Sequence, residues 1–280
     1  MKIAYVTFDG PDDDREVLLA SWARAGIDGA AVRWDDPAAD WASFEAAVVR
    51  STWDYLDRRK EFVDWAYKAE SVTRLLNPAA VLERNTDKTY LRELAEAGVP
   101  TVPTHWISPG EGPDNGLDLP TWDDYVVKPA ISAGARDAVR TTDRAEAEVH
   151  AKRLVAKGQI AMVQPYLHMV EDEGETSLIY FGGRFSHAVR RNAMLADGVA
   201  GPPTANLVVQ LRDPAPDQLE VAEHVLSTVS EELLYARVDL VRVPDGTPVL
   251  IELELTEPYC YLAHASGAAA RFTTALRDLL

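Results

Sequence analysis

The segment Arg237-Val238-Asp239-Leu240-Val241-Arg242-Val243-Pro244-Asp245-Gly246-Thr247-Pro248-Val249-Leu250-Ile251-Glu252-Leu253-Glu254-Leu255 alternates apolar and polar residues on both sides of an Asp-Gly pair. Period-two alternation sends successive side chains to opposite faces of a strand, and Asp-Gly between two such runs signals a hairpin. Strands are therefore expected at Ala236 to Val243 and Pro248 to Leu255. A two-residue turn sets Asp239 opposite Glu252 and Arg237 opposite Glu254, leaving Val238, Leu240, Val249, Ile251, Leu253 and Leu255 on a core face. Asp239, Glu252 and Glu254 then share the other face. Like charges facing each other across a strand pair destabilise it and raise a carboxylate pKa unless a cation intervenes. A divalent ion that also holds substrate phosphates removes the conflict. The bland alternative is a solvated acidic face partly neutralised by Arg237.

Upstream, Thr176 to Phe181 and Arg184 to Arg191 flank Gly182-Gly183 and form a second expected hairpin. Arg190 and Arg191 point to opposite faces, so one can enter a site while the other is solvated; His187 shares the Arg191 face. Helices are expected at Asp217 to Leu234 and Ala263 to Leu280. Further back, Thr86-Asp87-Lys88 opens a helix with Thr86 or Asp87 as cap and Leu91, Leu94 and Ala95 as its apolar stripe, stopped at Gly98-Val99-Pro100. A loop spans Pro109 to Pro120. Tyr125 to Pro129 is a strand that runs into the small-residue loop Ala130 to Ala135, followed by a helix from Ala145 to Ala156 and a strand from Ile160 to Val163. The first 80 or so residues alternate between strands (Ile3 to Phe8, Ala31 to Trp34, Ala46 to Arg50) and helices (Glu16 to Ala25, Leu56 to Leu76), which suggests a small parallel sheet. In the second helix Phe62, Trp65, Ala66, Ala69 and Val72 share a face. The chain divides into 1–84, 85–165 and 166–280.

Composition narrows the function. A net charge of −17 argues against a nonspecific grip on nucleic acid. The one cysteine, Cys260, excludes an intramolecular disulfide and any multi-cysteine zinc site. No segment approaches the ~20 apolar residues of a membrane span, and the first apolar run is too short for a signal peptide, so a cytoplasmic protein is expected. There is no H-x-x-x-H, G-x-x-x-x-G-K-[ST] or G-x-G-x-x-G. An acidic chain can still bind ATP if its few cations gather at the phosphates. Lys128, at a strand end before a flexible loop, and Lys88, near a helix start, are so placed; singly, each is an ordinary surface lysine.

The order of Asn85-Thr86-Asp87-Lys88, Val126-Val127-Lys128-Pro129, Val163-Gln164-Pro165-Tyr166-Leu167, Ala188-Val189-Arg190-Arg191, Arg237-Val238-Asp239-Leu240 and Ile251-Glu252-Leu253-Glu254 with Pro258 resembles the ATP-grasp superfamily of carboxylate-amine ligases, in its glutathione-synthetase-like branch. The resemblance covers most of the chain and implies an α/β (α+β) ATP-grasp fold, with a small N-terminal domain followed by two subdomains clasping ATP. It implies that Lys88, Lys128 and the loop at Ser132 hold phosphates, and that Gln164, Pro165, Tyr166 and Leu167 read adenine. Glu171, Asp172 or Glu175 would meet the ribose. Arg191 and Lys128 would serve catalysis, and Asp239, Glu252 and Glu254 would hold two Mg²⁺ ions. The superfamily usually carries Asn where Glu254 stands and more glycine after Lys128.

Arg50-Ser51-Thr52-Trp53-Asp54-Tyr55 and Glu252-Leu253-Glu254-Leu255-Thr256-Glu257-Pro258 look like the subgroup that contains the cyclo-ligase of D-cycloserine biosynthesis, which acts on O-ureido-D-serine. Ser51, Thr52, Asp54, Arg191, Glu257 and Tyr259 are then expected to meet a small amino-acid-like substrate. Two other readings are an intermolecular amino-acid or peptide ligase and a nucleotide binder without catalysis. Trp and Tyr residues between 53 and 67 suit a dimer contact as well as a core, so a homo-oligomer is open.

Overall fold

The computed structural model describes residues 1–110, 117–193, 195 and 208–280, so part of the expected loop from Pro109 to Pro120 lies outside the described residues. The first sheet is built from β1 (Lys2–Thr7), α1 (Asp13–Arg24), β2 (Asp28–Arg33), β3 (Ala46–Ser51), α2 (Arg59–Glu70) and β4 (Arg74–Leu76). Its strand order is β2-β1-β3-β4, all parallel, as the βα alternation requires. The expected helix from Leu56 to Leu76 is too long at both ends. It stops at Glu70, and the Ser71-Val72-Thr73 turn leads into β4, leaving Val72 54% exposed instead of on the buried face. Thr73 fixes that turn by donating to the Phe44 carbonyl at 2.8 Å. The aromatics around residues 53 to 67 mostly face inward: Tyr55 stacks on Phe62 at 4.8 Å, and Trp34 and Trp65 close the cluster.

Next come α3 (Ala79–Asn85), α4 (Tyr90–Glu96), β5 (His105–Ile107), β6 (Tyr125–Pro129), β7 (Val139–Thr141), α5 (Arg144–Ala156), β8 (Ala161–Pro165) and α6 (Met169–Asp172). The second sheet has the order β5-β8-β6-β7 and is antiparallel. Lys88 does not open a helix. It sits in the turn between α3 and α4, where the Asp87 carboxylate accepts from the Thr89 N–H at 3.0 Å and the Lys88 N–H reaches the Ala130 carbonyl at 2.9 Å. Ala95 is exposed, so the buried stripe of α4 is Tyr90, Leu91 and Leu94.

The third sheet comprises β9 (Glu175–Phe181), β10 (Arg184–Arg191), β11 (Val209–Arg212), β12 (Tyr235–Arg242) and β13 (Pro248–Glu254), with α7 (Pro216–Ser227) between β11 and β12 and α8 (Ala268–Leu279) after them. Its order is β11-β10-β9-β12-β13. Gly182 and Gly183, at φ 54° and 72°, form the left-handed two-residue turn joining β9 and β10. α7 ends seven residues before the expected Leu234, at Ser227; there the Thr228 hydroxyl bonds the Val225 carbonyl at 2.7 Å. α8 starts at Ala268, after Gly267 in the left-handed conformation.

The acidic hairpin pairs as expected at its far end, with Arg237 opposite Glu254 and Asp239 opposite Glu252, but the register shifts between Asp239 and Leu240. Nearer the turn Leu240 faces Leu250, and the loop is the three residues Pro244-Asp245-Gly246, closed by Val243 and Thr247. The extra residue is a β-bulge at Ile251 that absorbs the longer loop. Leu250 therefore takes the core position expected for Ile251, while Val249 and Ile251 join the opposite face with Val241.

Chain order and packing differ. α3 and α4 bury Val81, Tyr90, Leu91 and Leu94 against the third sheet, in one core with Leu178, Leu240 and Leu253. α8 packs on α1, with Phe272 and Leu276 in one core with Trp22 and Leu18, and the Ser21 and Thr273 hydroxyls meet at 2.7 Å. Among the described residues no helix is long and apolar enough to cross a membrane.

Candidate active site

A cleft of about 1030 Å³ opens where the three sheets converge. Strand geometry sets its walls: β6 delivers Lys128, β8 ends in Gln164-Pro165, β10 ends in Arg191, and the β12–β13 face presents Arg237, Glu252 and Glu254. One end is apolar, with Val102, Val126, Tyr166, Val170, Val241 and Ile251 packed around it, the surface a flat base would need. Gln164 is buried there, donating to the Thr104 hydroxyl at 2.8 Å. Lys88 donates to the Ser132 carbonyl and pairs with Glu252 at 3.0 Å.

Residues expected from sequence that line this cleft are Lys88, Lys128, Ser132, Gln164, Pro165, Tyr166, Leu167, Glu175, Arg191, Glu252, Glu254, Glu257 and Tyr259. Others do not. Asp172 is exposed and off the lining, where its carbonyl accepts from Arg190; Glu171 instead bonds Arg140 and the Tyr166 hydroxyl. Glu175 lines the cleft, with its Oε2 accepting from Arg191 at 2.6 Å. Ser51, Thr52 and Asp54 also miss the cleft. Ser51 bonds Thr7 and Asp12, Thr52 is fully buried, and Asp54 accepts from the Trp34 indole at 2.9 Å. Trp53 and Tyr55, on the alternate positions, face it instead.

Asp239 is 1% exposed and lies beneath the floor, not on it. Its Oδ2 accepts from Arg191 at 2.7 Å and from Arg237 Nη2 at 2.9 Å, and its Oδ1 accepts from Arg237 Nε at 2.9 Å. Arg237 also bonds Glu254 and the Tyr259 carbonyl. Sequence reasoning gave Arg237 only a neutralising part. Its place two residues before Asp239 on the same face was the signal that it enters the site.

The segment after β13 is held from every side. Thr256 O accepts from Tyr235, Glu257 O from Trp53, and Pro258 O from Arg50 at 2.6 Å. Cys260 O accepts from His187 at 2.9 Å, and the Asp14 carboxylate takes the N–H groups of Cys260 at 2.8 Å and Leu262 at 2.9 Å. Within this clamp Tyr261, at φ 52°, adopts a left-handed backbone that a bulky residue keeps only when its surroundings over-determine it. The result fixes Glu257, Tyr259 and Tyr261 in the cleft wall, beside Trp53.

Over 284 aligned positions the chain is 37% identical to the cycloserine biosynthesis protein DcsG of Streptomyces lavendulae, covering 96% of this chain and 94% of that one. The chain belongs to the D-cycloserine synthetase family. The family model for the N-terminal domain of D-cycloserine synthetase DcsG matches residues 3–77. The crystal structure of D-cycloserine synthetase DcsG superposes with a TM-score of 0.89 at 35% identity, covering 100% of this chain and 99% of the other. The ATP-grasp ligase PsnB, in complex with a phosphomimetic variant of its minimal precursor, Mg and ADP, shares the fold at a TM-score of 0.66 and 14% identity, over 99% of this chain and 98% of its own. This member of the synthetase family is an ATP-dependent ligase that forms a C–N bond.

Its electrostatics suit Mg²⁺ and a polyphosphate. Burial holds the Lys128 ammonium below the ordinary lysine range, which an approaching phosphate would reverse. Burial pushes Glu254 up to about 7, with Arg237 opposing and Glu252 and Asp239 adding to the rise. Against the cost of burial, Arg191 and Arg237 hold Asp239 below the usual carboxylate range. Among the described residues no three acidic, His or Cys side chains gather closely enough to chelate an ion unaided. That arrangement fits a hard ion completed by phosphate oxygens: Glu252 and Glu254 are open to the cleft, while Asp239 lies beneath them, held by Arg191 and Arg237.

Proposed function

We propose that this chain uses ATP to close O-ureido-D-serine into D-cycloserine. The reading rests on the end-to-end match to DcsG and is supported by a cleft that joins an apolar end to a polar, charged one. Lys88, Lys128 and the Ser132 loop hold the phosphates, and Gln164, Pro165, Tyr166 and Leu167 hold adenine. Glu252 and Glu254, with Asp239 behind them, hold two Mg²⁺ ions, which when bound neutralise phosphate charge. Arg191 and Arg237 face the substrate carboxylate and the phosphoryl group moving to it.

A carboxylate is a poor acyl donor until one oxygen becomes a phosphate leaving group. Its oxygen attacks the γ-phosphorus and ADP leaves; the ureido nitrogen bound to oxygen then attacks the acyl carbon and phosphate leaves. Water removes the carbamoyl group as carbon dioxide and ammonia. Because nucleophile and electrophile belong to one molecule, orientation in the clamped wall of Glu257, Tyr259 and Tyr261 replaces a second amine site.

Mg²⁺-dependent release of ADP and phosphate is measured with O-ureido-D-serine alone and with pairs of D- and L-amino acids, and the product is weighed by mass spectrometry. Release with the single substrate, giving D-cycloserine, is expected. Release only with pairs overturns the reading in favour of an intermolecular ligase, and silence throughout overturns it in favour of a different acid or a nucleotide binder.

A further inference from the structure

Four glutamates line the cleft, and three of them meet a cation. Glu175 pairs with Arg191 at 2.6 Å, Glu252 with Lys88 at 3.0 Å, and Glu254 with Arg237. Glu257 is only 7% exposed, yet among the described residues no Lys, Arg or His forms an ion pair with it. The Tyr55 hydroxyl lies near it and favours its charged form. Burying a carboxyl without a paired cation is costly, and here burial and the nearby Glu254 outweigh Tyr55 and the more distant charge of Lys88, which is paired with Glu252, and push it up to about 8. The Trp53 indole, donating to the Glu257 carbonyl at 3.2 Å, holds the residue in place. Asp13, the remaining acid of the lining, is exposed at the mouth beside Tyr259.

We infer that Glu257, held by the Trp53 indole and lying near Tyr55, is the acceptor for the α-ammonium group of the substrate, and that it restricts the site to acids carrying a free α-amino group. This rests on the proposed reading that the cleft binds an amino-acid substrate. In an α-amino acid one carbon separates ammonium from carboxylate, so their two receptors must be neighbours. Arg237 lines the same cleft, bonded to the Glu254 side chain and the Tyr259 carbonyl, which flank Glu257 in the chain. The missing cation is thus supplied by the ligand, and an uncharged or hydroxy analogue leaves the carboxyl unmatched.

The test is isothermal titration of the whole protein with Mg²⁺ and a non-hydrolysable ATP analogue present. Wild type and Glu257→Gln are each titrated with O-ureido-D-serine, its desamino analogue, D-alanine and propionate. A lost charge-assisted hydrogen bond predicts that wild type prefers the amino-bearing ligand by about ten- to a hundredfold. In Glu257→Gln that preference falls to about threefold or less, through weaker binding of the amino-bearing ligand alone. Tyr55→Phe gives an intermediate loss. The same preference in wild type and Glu257→Gln, or none in wild type, overturns the assignment. Binding of D-alanine but not O-ureido-D-serine, still dependent on Glu257, overturns the substrate and upholds the ammonium site; binding of no α-amino acid overturns both.

Discussion

Asp14 lies on α1, far in sequence from the segment it anchors, and Asp14→Asn tests whether that anchor shapes the site. The carboxylate accepts the N–H groups of Cys260 and Leu262 and lies 3.8 Å from the Arg50 guanidinium, with both side chains 2% exposed. A carboxamide keeps the shape but has one acceptor oxygen, so one buried N–H is left facing an NH₂ group, a loss of roughly 1–3 kcal/mol. Arg50 also loses its counter-charge; breaking a buried pair costs about 3–5 kcal/mol, and because the two effects share one carboxylate the larger is the better figure for the whole. At about 2–3 °C per kcal/mol for a chain this long, Tm falls by about 6–15 °C. The functional effect is selective. Tyr261 holds its left-handed backbone only while its neighbours are fixed on both sides, so KM for the carboxylate substrate rises, whereas KM for ATP, set by β6 and β8, stays the same. Differential scanning calorimetry and steady-state kinetics read both. A Tm within about 2 °C of wild type, or a rise in KM for ATP equal to that for the acid, refutes the reasoning.

Glu252→Gln removes a carboxylate open to the cleft, so half-saturating Mg²⁺ rises by at least about tenfold while the melting profile is kept; an unchanged Mg²⁺ dependence argues against its role as a ligand. The folded state binds protons more tightly than the unfolded chain at Glu254 and Glu257, whose pKa values are pushed up to about 7 and about 8. The nucleotide-free protein therefore loses stability as pH rises from the ordinary glutamate range through 8, and a Tm series from pH 6 to 9 should fall, less steeply in Glu257→Gln. A flat or rising series contradicts both assignments. Asn77, fully buried, accepts from Leu234 N–H at 2.8 Å and donates to the carbonyls of Tyr235 at 2.9 Å and Leu255 at 2.7 Å. Asn77→Ala leaves those groups unpaired and costs about 3–5 kcal/mol; a urea midpoint unchanged from wild type shows that the bridge is dispensable.

Local pattern determined the strands of the acidic hairpin, the glycine turn between β9 and β10, the β6 strand bearing Lys128 and the pairing of Asp239 with Glu252, because period-two alternation and turn chemistry act over a few residues. The resemblance in motif order supplied the ligase chemistry. Where short-range rules compete, the sequence was ambiguous. The apolar run through Leu76 fits helix or strand, and only pairing with β3 makes its end a strand. Likewise the turn length of the hairpin, and with it the bulge that brings Ile251 to the cleft, follows from how β12 and β13 fit their neighbours.

Function in the substrate wall was the least legible. Ser51, Thr52 and Asp54 are polar and adjacent to a strand end, yet it is Trp53 and Tyr55 that reach the cleft, because the turn after β3 sends alternate residues inward. Which carboxylates lie free and which are held by arginine depends on side chains from β10, β12 and α1 meeting across long stretches of chain. Residue type and spacing determine what chemistry is available, since they are local. Charge matching and the strained setting of Tyr261 are decided in space, by partners that only folding brings together.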